Sequence, residues 1–498
     1  MLRSSRLVRV LVCAVGAGAL SCSDNTVTGP TGATLRIIAG AGISDTVTAL
    51  PSQALVVEVR GPDGKPATGT VVRFLSLPID ATHPYTLGVL VSSPTSTFFT
   101  GFDGEHADAR GRATTLLQFG GVTGNARVAI QVPEFNLADT VPYTVHPGAA
   151  VGMAVFPRDT VLYRGASMQS RAAAVDRFGN SRSDPVTYGP ASGGITISAT
   201  GAVAAGSNVG RAWFVAHAAG AQDTGWVSIV PAGMIAAYDY PSSYGDTAGL
   251  VVVNLDGSGY HRLSVGVTQY GASPVWSPAG DRIVYDVPAN GGAEQLFATS
   301  LGGGGALFLQ SPPTALLAGT WPSFSHDGAH VFFSGLATGE GNFSLWQADA
   351  DGHNAVQVGR NVGCCGIDWR SSPSPDGTRL AFITGDLGGT SIRVWNVVAD
   401  TEESWSVTGQ SPRWSPTGGT IAYTTVYGGP LHMVNADGTN SLVLTPNRSY
   451  AEGALGWSPD GQWLIARGPA TLELVNPTTG AFLPLGWATN LWYPAWRP

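Results

Sequence analysis

The sequence predicts an all-β protein in which two β-sandwiches precede a six-bladed β-propeller closed by its C-terminal strand. Three observations lead to this prediction. A motif of aromatic, serine, proline and glycine residues recurs through the second half of the chain. The first half carries alternating apolar patterns separated by Asp-Gly and Gly-Pro turns. No long helical periodicity occurs between the N-terminal segment and the repeats.

The repeated motif is Pro-x-Trp-Ser-Pro-x-Gly followed by a short apolar run. Its glycines are spaced by 48, 49, 41 and 43 residues, at Gly280, Gly328, Gly377, Gly418 and Gly461. A period of roughly 40–50 residues built from short strands and turns is typical of a propeller blade. The third copy differs from the others, because Pro373 stands where they carry an aromatic residue.

The two ends of the repeat region predict how the ring closes. The region begins at 234–254 with the late strands of a blade that has no opening motif. The opening motif appears instead at the C-terminus, as Pro494-Ala-Trp496-Arg-Pro498. We therefore predict that residues 494–498 complete the blade that starts at residue 234, which gives six blades within 232–498. Closure of this kind removes exposed strand edges, which otherwise favour aggregation.

These repeats resemble the TolB-type, WD40-like propeller repeats of bacterial envelope proteins. The Trp-Ser-Pro-Asp-Gly elements carry the resemblance, which covers slightly more than half of the chain, residues 234–498. It implies a propeller fold and a partner in the cell envelope. Twelve of the 14 tryptophans lie after residue 232. This distribution favours tryptophans that pack between blades; the alternative is a row of exposed tryptophans that binds sugars.

The N-terminus predicts export. Arg3, Arg6 and Arg9 precede an apolar stretch that is too short to span a membrane, so residues 1–21 are predicted to be a signal peptide. The sequence Ala19-Leu-Ser-Cys22 resembles the lipobox of bacterial lipoproteins, which implies lipidation of Cys22 and a tether over 22–32. The alternative is ordinary cleavage near Ala19 and a protein without a lipid.

Residues 33–147 and 148–231 each show period-two apolar strands separated by turns, the pattern of a β-sandwich. The first segment places Asp63-Gly64-Lys-Pro66 and Asp108-Ala-Arg-Gly111 between its strands. Both segments resemble the bacterial Ig-like modules of invasin- and intimin-type adhesins. The resemblance implies two Ig-like domains that form a stalk.

The charge of the chain argues against binding to nucleic acid. The formal net charge is −8, and charged residues make up only 12% of the chain. Nucleic acid binding needs clustered lysine or arginine for the phosphates. After residue 22 no apolar run is long enough for a membrane span. We therefore expect membrane contact only through the N-terminal lipid.

The motifs of common enzymes do not occur. The sequence has no Gly-x-Ser-x-Gly, no His-Glu-x-x-His and no phosphate-binding loop, so we predict no catalytic residues, no metal site and no cofactor. Some residues are weaker candidates for metal binding or for lining the channel, and for each of them an ordinary surface role is favoured. They are a metal pair (His326 and His330), two calcium sites (Asp349, Asp351 and Asn354; Asp159, Asp176 and Asn180) and channel arginines (Arg379, Arg393 and Arg413).

Cys364 and Cys365 are adjacent, within the sequence Gly-Cys-Cys-Gly. Adjacent cysteines close only a strained ring, which is atypical of structural disulfides. Three possibilities stay open for the pair: a disulfide that stiffens the loop, two free thiols, or a metal or redox site.

We thus predict a non-enzymatic, monomeric lipoprotein of the bacterial cell envelope, facing the periplasm or the cell surface. Its propeller would bind an envelope protein or a surface polymer through unequal loops, in particular 302–317 and 362–369. One alternative is a lyase or hydrolase that acts in the central channel on polysaccharide or peptide. Another is a glycan-binding adhesin that uses Trp405, Trp487 and Trp492.

Overall fold

The computed structural model describes residues 26–30, 32–80, 86–240, 248–263, 273–288, 294–310, 316–339, 341, 343–358, 370–386, 389–425, 428–451 and 453–498. Strands dominate these residues, which confirms the prediction of an all-β chain. The chain divides into two compact units. One comprises Met1–Val155, Ala172–Thr187 and Ala216–Asp223; the other comprises Phe156–Arg171, Tyr188–Val215 and Thr224–Pro498. None of the described residues belongs to a helix with the length and apolarity of a membrane span.

The first unit contains two five-stranded sheets, ordered β1-β2-β4-β8-β6 and β3-β10-β9-β5-β7. A short 3-10 helix spans Pro133–Phe135. The alternation of buried and exposed residues along β8 and β10 places one face of each strand in a shared apolar core, which includes Leu55, Phe74 and Tyr143. The strands are β1 Thr26–Thr28, β2 Thr34–Ala39, β3 Ser44–Thr46, β4 Leu55–Arg60, β5 Val71–Leu77, β6 Val89–Ser92, β7 Phe102–His106, β8 Arg112–Phe119, β9 Gly124–Val132 and β10 Leu137–His146.

The next segment forms three smaller sheets, ordered β11-β14, β12-β19-β18-β15 and β13-β17-β16. Their strands are β11 Gly152–Phe156, β12 Asp159–Tyr163, β13 Ser167–Gln169, β14 Arg171–Val175, β15 Thr187–Ser192, β16 Ile195–Ile197, β17 Ala202–Ala205, β18 Gly210–Ala218 and β19 Ala221–Val230. The domain boundaries expected after residues 147 and 231 stay predictions.

The described part of 234–496 forms six four-stranded antiparallel sheets, each with the strand order of a propeller blade. In chain order, their strands are β20 Met234–Asp239, β21 Gly249–Asn254, β22 His261–Arg262, β23 Val275–Trp276, β24 Arg282–Pro288, β25 Glu294–Ser300, β26 Gly303–Leu307, β27 Leu316–Phe324, β28 His330–Ala337, β29 Ser344–Asp349, β30 Val356–Gln357, β31 Ser372–Pro373, β32 Arg379–Asp386, β33 Gly389–Asn396, β34 Thr401–Thr408, β35 Gln410–Trp414, β36 Thr420–Thr424, β37 Leu431–Asn435, β38 Leu442–Val443, β39 Leu455–Trp457, β40 Leu464–Arg467, β41 Leu472–Val475, β42 Phe482–Pro484 and β43 Leu491–Trp496.

Five of these sheets consist of four consecutive strands, and the sixth combines both ends of the repeat region. Its order is β22-β21-β20-β43, with Ile235 opposite Trp496 and Ala236 opposite Ala495. The C-terminal strand therefore pairs with the strand that opens the region, as the placement of the motif predicts.

The serine of the motif holds the turn that follows it. The Ser458 hydroxyl donates to Asp460 over 2.6 Å and accepts the backbone N–H of Trp463 over 2.9 Å. The same two bonds occur at Ser325, with Asp327 and with the N–H of His330. Gly461 completes the turn at a φ of 67°, which only glycine adopts without strain. This repeated geometry explains the fixed spacing of serine and glycine in the motif, with Thr417 in the place of the aspartate in one copy.

Candidate functional site

The candidate site is a channel bordered by the first strands of all six sheets. A cavity of about 230 Å³ is lined by residues 273–276, 322–324, 371–373, 413, 453, 455–457, 493–496 and 498. These residues belong to β23, β27, β31, β35, β39 and β43 or flank them directly. Because each sheet contributes to one wall, the six sheets surround a common space.

Two motif tryptophans connect neighbouring first strands. The indole N–H of Trp457 donates to the carbonyl of Arg413 over 2.9 Å, and that of Trp276 donates to the carbonyl of Ala495 over 3.1 Å. The third copy, which lacks the aromatic residue, makes a different connection, because the Ser372 hydroxyl accepts the backbone N–H of Trp414 over 2.8 Å. The prediction that these tryptophans pack between sheets is therefore confirmed for Trp276 and Trp457.

The two edges of the sheets carry different connections. In a four-stranded antiparallel sheet, the turns from first to second and from third to fourth strand share one edge, and the remaining connections share the other. The turns of the first edge are short, and those after a motif serine are held by side-chain bonds such as Ser458 to Asp460 and Ser415 to Thr417. At the second edge, the crossovers to the next sheet range from one residue, Gly409, to fourteen, 358–371. The predicted contact segment 362–369 belongs to that longest crossover and lies outside the described residues.

Three residues with left-handed backbone lie at this second edge, and one of them, Tyr493, lines the cavity. Trp321, Ser411 and Tyr493 have φ values of 53°, 55° and 50°, and each precedes a motif proline. A residue before proline is normally extended, and a left-handed backbone is strained for bulky side chains. The strand register shifts at these positions in all three sheets. The irregularity places the Trp321 and Tyr493 rings edge to face, with centroids 5.7 Å apart.

Arg370 and Gly453 complete this arrangement. The Arg370 guanidinium carbon lies 3.6 Å from the centre of the Trp321 ring, and its Nη1 donates to the Ser411 hydroxyl over 2.8 Å. A Cβ at Gly453 would lie 2.9 Å from both Trp321 and Arg370, so a larger residue would displace them. We refer to Trp321, Arg370, Ser411, Gly453 and Tyr493 as the channel-end cluster.

Aromatic surface continues from the channel-end cluster along the first sheet. The Trp492 ring lies 6.4 Å from Tyr493 and 5.9 Å from Tyr240, and the Arg467 guanidinium lies 4.7 Å from the Trp492 ring. Trp492, Tyr493 and Tyr240 are half-buried, so each ring keeps part of its surface in contact with solvent. The sequence signal for Trp321 and Tyr493 is an aromatic residue directly before a motif proline, a feature that the motif as defined above does not include.

Two charged groups are held inside the channel wall. Burial, together with the positive charge of Arg370, lowers the pKa of Arg413 to about 10. Burial raises the pKa of Asp286, although this carboxylate accepts hydrogen bonds from Ser273 N, Thr320 Oγ1 and Trp321 N. Through these three hydrogen bonds Asp286 holds the backbone at Trp321, a residue of the channel-end cluster, in position.

Of the three arginines proposed for the channel, one lines it. Arg413 borders the cavity. Arg379 instead reaches the neighbouring sheet, where its Nη1 donates to the carbonyl of Ala436 over 2.9 Å. Arg393 forms an ion pair with Glu402, and its side chain is 44% exposed. The channel, which was the weaker alternative to a surface role for these arginines, is not where Arg379 and Arg393 lie, because a carbonyl and a carboxylate away from it bind their side chains.

The three tryptophans proposed for glycan binding are half-buried and lie on separate strands and loops. Trp405 donates its indole N–H to Glu403 over 2.7 Å. Trp487 packs against Gly257, where an added Cβ would lie 3.0 Å from the ring, and it lines a cavity of about 750 Å³ together with Phe482. Trp492 belongs to the aromatic surface beside the channel-end cluster.

The proposed calcium and metal residues take part in local contacts. Asn354 donates to Asp349 over 2.7 Å, and Asp351 accepts the backbone N–H of His353, as in an ordinary turn. His326 and His330 both line a cavity of about 390 Å³, and His330 Nδ1 lies 3.4 Å from Asp349. Among the described residues, no group of three or more His, Cys, Asp or Glu side chains is arranged to hold a metal ion.

The second set of proposed calcium ligands is divided between the two units. Asp159 pairs with Arg211. Asp176 accepts hydrogen bonds from Gly148 N, from Phe178 N and from the Asn180 backbone and side chain. Burial would raise the pKa of Asp176, but these donors lower it to about 2. The carboxylate is thus held by donors of its own unit.

Cys22, Cys364 and Cys365 lie outside the described residues, so lipidation and the state of the cysteine pair stay predictions.

No family model matches the chain, and no curated protein matches it. Solved structures do. TolB from Acinetobacter baumannii is 17% identical, with 63% of this chain and 83% of that chain covered and a TM-score of 0.44. A chain of a nidogen/laminin complex is 9% identical, with coverages of 53% and 99% and a TM-score of 0.41. An oligogalacturonate lyase in complex with manganese is 14% identical, with coverages of 51% and 72% and a TM-score of 0.30.

Proposed function

We propose that residues 232–498 form a six-bladed propeller that binds a protein partner in the bacterial cell envelope without catalysing a reaction. Two Ig-like modules, 33–147 and 148–231, serve as its stalk, and a lipid on Cys22 anchors the chain to the membrane. The observation that carries the proposal is the channel-end cluster, which combines aromatic rings and arginine at the sheet edge that also bears the unequal connections.

The chemistry of this surface supports binding to protein. Tryptophan, tyrosine and arginine are the residues that contribute most to the free energy of protein–protein association, especially near the centre of an interface. Trp321, Tyr493 and Trp492 are held in fixed positions by ring contacts and by the strand irregularities. Little side-chain entropy is therefore lost when a partner covers them.

The channel favours binding over catalysis. Among the described residues that line it, Arg413 is the only charged side chain, and none is histidine, aspartate or glutamate. A lyase or hydrolase in the channel would need several titratable groups that converge on the reacting atoms. Asp286 is a buried carboxylate behind the wall, and it accepts hydrogen bonds from the backbone of Ser273 and Trp321. These bonds support a structural role for it.

The test is capture of envelope proteins by the full chain and by two matched variants. Trp321→Ala removes the centre of the channel-end cluster, and Trp463→Ala makes the same change beside a turn at the opposite edge. We expect one envelope protein to be retained by the wild type and by Trp463→Ala, with at least tenfold weaker retention by Trp321→Ala. Equal retention by all three would contradict the proposed surface.

The anchor has a separate test. The intact mass of the protein purified from the membrane fraction should show Cys22 as a lipid-modified first residue. A mature N-terminus near Ala19 without lipid would remove the anchor from the proposal and leave the binding surface unaffected.

A further inference from the structure

We infer that the central channel contains a carboxylate-binding site centred on Arg413. The inference goes beyond partner binding by the channel-end cluster, because it concerns the cavity inside the ring of first strands and names the chemical group that enters it. Three observations carry it: the geometry of the Arg413 guanidinium, the sign of the charge beside it, and a buried hydroxyl of the same cavity.

The Arg413 guanidinium is held in place by backbone carbonyls. Its Nε donates to the carbonyl of Leu455 over 3.0 Å, and its Nη1 donates to the carbonyl of Pro412 over 3.0 Å. Leu455 lies on the first strand of the next sheet, so the side chain spans two sheets of the wall. These bonds fix the plane of the guanidinium, and a preorganised donor loses little entropy when it binds a ligand.

No side-chain carboxylate is found among the described residues that line the channel around Arg413. No described carboxylate forms an ion pair with it, and the charged group that acts on it is a second arginine, Arg370. A buried charge without an ion-pair partner is unfavourable, because the group loses part of its hydration. A single negative charge in the cavity would reduce this cost.

Ser273 provides a second polar group without a partner. Its side chain is 6% exposed, it lines the same cavity, and its Oγ has no hydrogen-bond partner among the described protein groups. A buried hydroxyl of this kind is normally satisfied by water or by a ligand. Ser323 and Ser371 line the wall as well, and their hydroxyls lie 2.9 Å apart.

The size and the walls of the cavity define the class of ligand. A volume of about 230 Å³ has room for a small acid or for the end of a longer chain. Planar guanidinium groups bind planar carboxylates through paired hydrogen bonds. The other lining residues include Pro322, Leu455 and Trp457, so an apolar body behind the carboxylate fits. The terminal carboxylate of a peptide and a sugar acid share this chemistry.

The test measures binding of small acids to the purified full chain by calorimetry. The probes are the tripeptide N-acetyl-Ala-Ala-Ala as free acid and as amide, galacturonate with galactose as its neutral counterpart, and inorganic phosphate. Arg413→Gln removes the charge in the channel. Arg393→Gln removes an arginine that is paired with Glu402 away from the cavity and is the matched control.

We expect saturable binding of at least one acid, with its neutral counterpart at least tenfold weaker, in the wild type and in Arg393→Gln. Arg413→Gln should bind that acid at least tenfold more weakly. The acid that binds identifies the source of the carboxylate. Absence of acid binding, equal losses in both variants, or tighter binding of phosphate than of either acid would overturn the inference.

A second measurement avoids the risk that Arg413→Gln does not fold. Phenylglyoxal modifies accessible arginines, and mass spectrometry locates the modified positions in the wild-type protein. The acid that binds should protect Arg413 and leave Arg393 reactive; equal modification of Arg413 with and without the acid would overturn the site. Capture of the envelope partner, measured on the same protein, distinguishes failure of the channel site from failure of the proposed function.

Discussion

Ile235 and Trp496 are opposite partners in the strand pair that joins the beginning of the repeat region to its end. Ile235 is fully buried and Trp496 is 7% exposed. Both belong to an apolar core that includes Ile465 and Leu474 of the preceding sheet. The closing strand therefore contributes to the packing between sheets as well as to the pairing within its own sheet.

The indole of Trp457 makes a bond between sheets that can be removed with little loss of volume. In Trp457→Phe the donor to the carbonyl of Arg413 is lost, and that buried carbonyl loses its partner. We expect the free energy of unfolding of the propeller to fall by about 1 kcal/mol. Denaturant titration followed by hydrogen exchange in the peptides of 410–467 checks this value.

The control is Trp463→Phe, the same exchange at the residue before the second strand of the same sheet. It should change the free energy of unfolding by a smaller amount. Equal effects of the two substitutions would show that the bond to Arg413 contributes nothing specific.

The propeller contains a buried carboxylate, Glu473, that is paired with Arg448. Loss of this pairing should destabilise the propeller. Glu473 is fully buried, and Arg448 binds it through two nitrogens, with Nε at 3.1 Å. Arg448→Ala would remove the ion-pair partner of the buried carboxylate and leave only the more distant Arg467, at a cost of roughly 3–5 kcal/mol. The thermal unfolding midpoint of the propeller should drop by several degrees.

Glu473→Gln is the matched variant for this pair. It keeps the shape and removes the buried charge, so its cost should be clearly smaller than that of Arg448→Ala. A larger cost for Glu473→Gln would contradict the view that the uncompensated carboxylate causes the loss.

Asp176 predicts a loss of stability in acid for the first unit. The hydrogen bonds that its carboxylate accepts lower its pKa in the folded protein to about 2, below the ordinary aspartate value of 3.8. A carboxylate with a lowered folded pKa stabilises the fold above its unfolded pKa and loses that effect as the pH falls through the folded pKa. Protection of the Gly148, Phe178 and Asn180 amides from hydrogen exchange should therefore decrease between about pH 4 and pH 2.

Asp176→Asn should flatten this pH dependence, and Asp63→Asn, at an exposed turn, should leave it unchanged. An unchanged acid profile in Asp176→Asn would assign the loss of stability to other carboxylates.

The propeller sheets could be predicted because their signal is local and repeated. Ser458, Asp460 and Gly461 form one turn through contacts within a few residues, and the same contacts recur in other copies. The partial copy at Trp496 also indicated which strands pair. The repeat region begins with a blade that lacks its first strand and ends with a lone first strand, so the two are expected to combine into one blade, as they do.

The channel-end cluster could not be predicted in the same way. Trp321, Ser411 and Tyr493 come from three sheets, and the positions of their side chains depend on a left-handed residue that occurs once in each of their strands. Arg379 begins a second strand and reaches a carbonyl of the next sheet, whereas Arg413 lies on a first strand and borders the channel. The pattern of residue types does not distinguish these outcomes, because they depend on distances between sheets.

The pairing of β20 with β43 is tested most directly by a disulfide between Ala236→Cys and Ala495→Cys, which are opposite one another. The four native cysteines are first replaced by serine. Opposite residues of an antiparallel pair have Cα atoms about 4.5–5.5 Å apart, within the range that a disulfide spans. We predict complete oxidation of this pair, seen as the loss of two hydrogen masses and of both free thiols. The control pair, Ala236→Cys with Ala436→Cys, should keep both thiols, because Ala436 lies next to a strand of a different sheet. Two free thiols in the Ala236–Ala495 variant, in a protein that is still folded, would contradict closure of the ring.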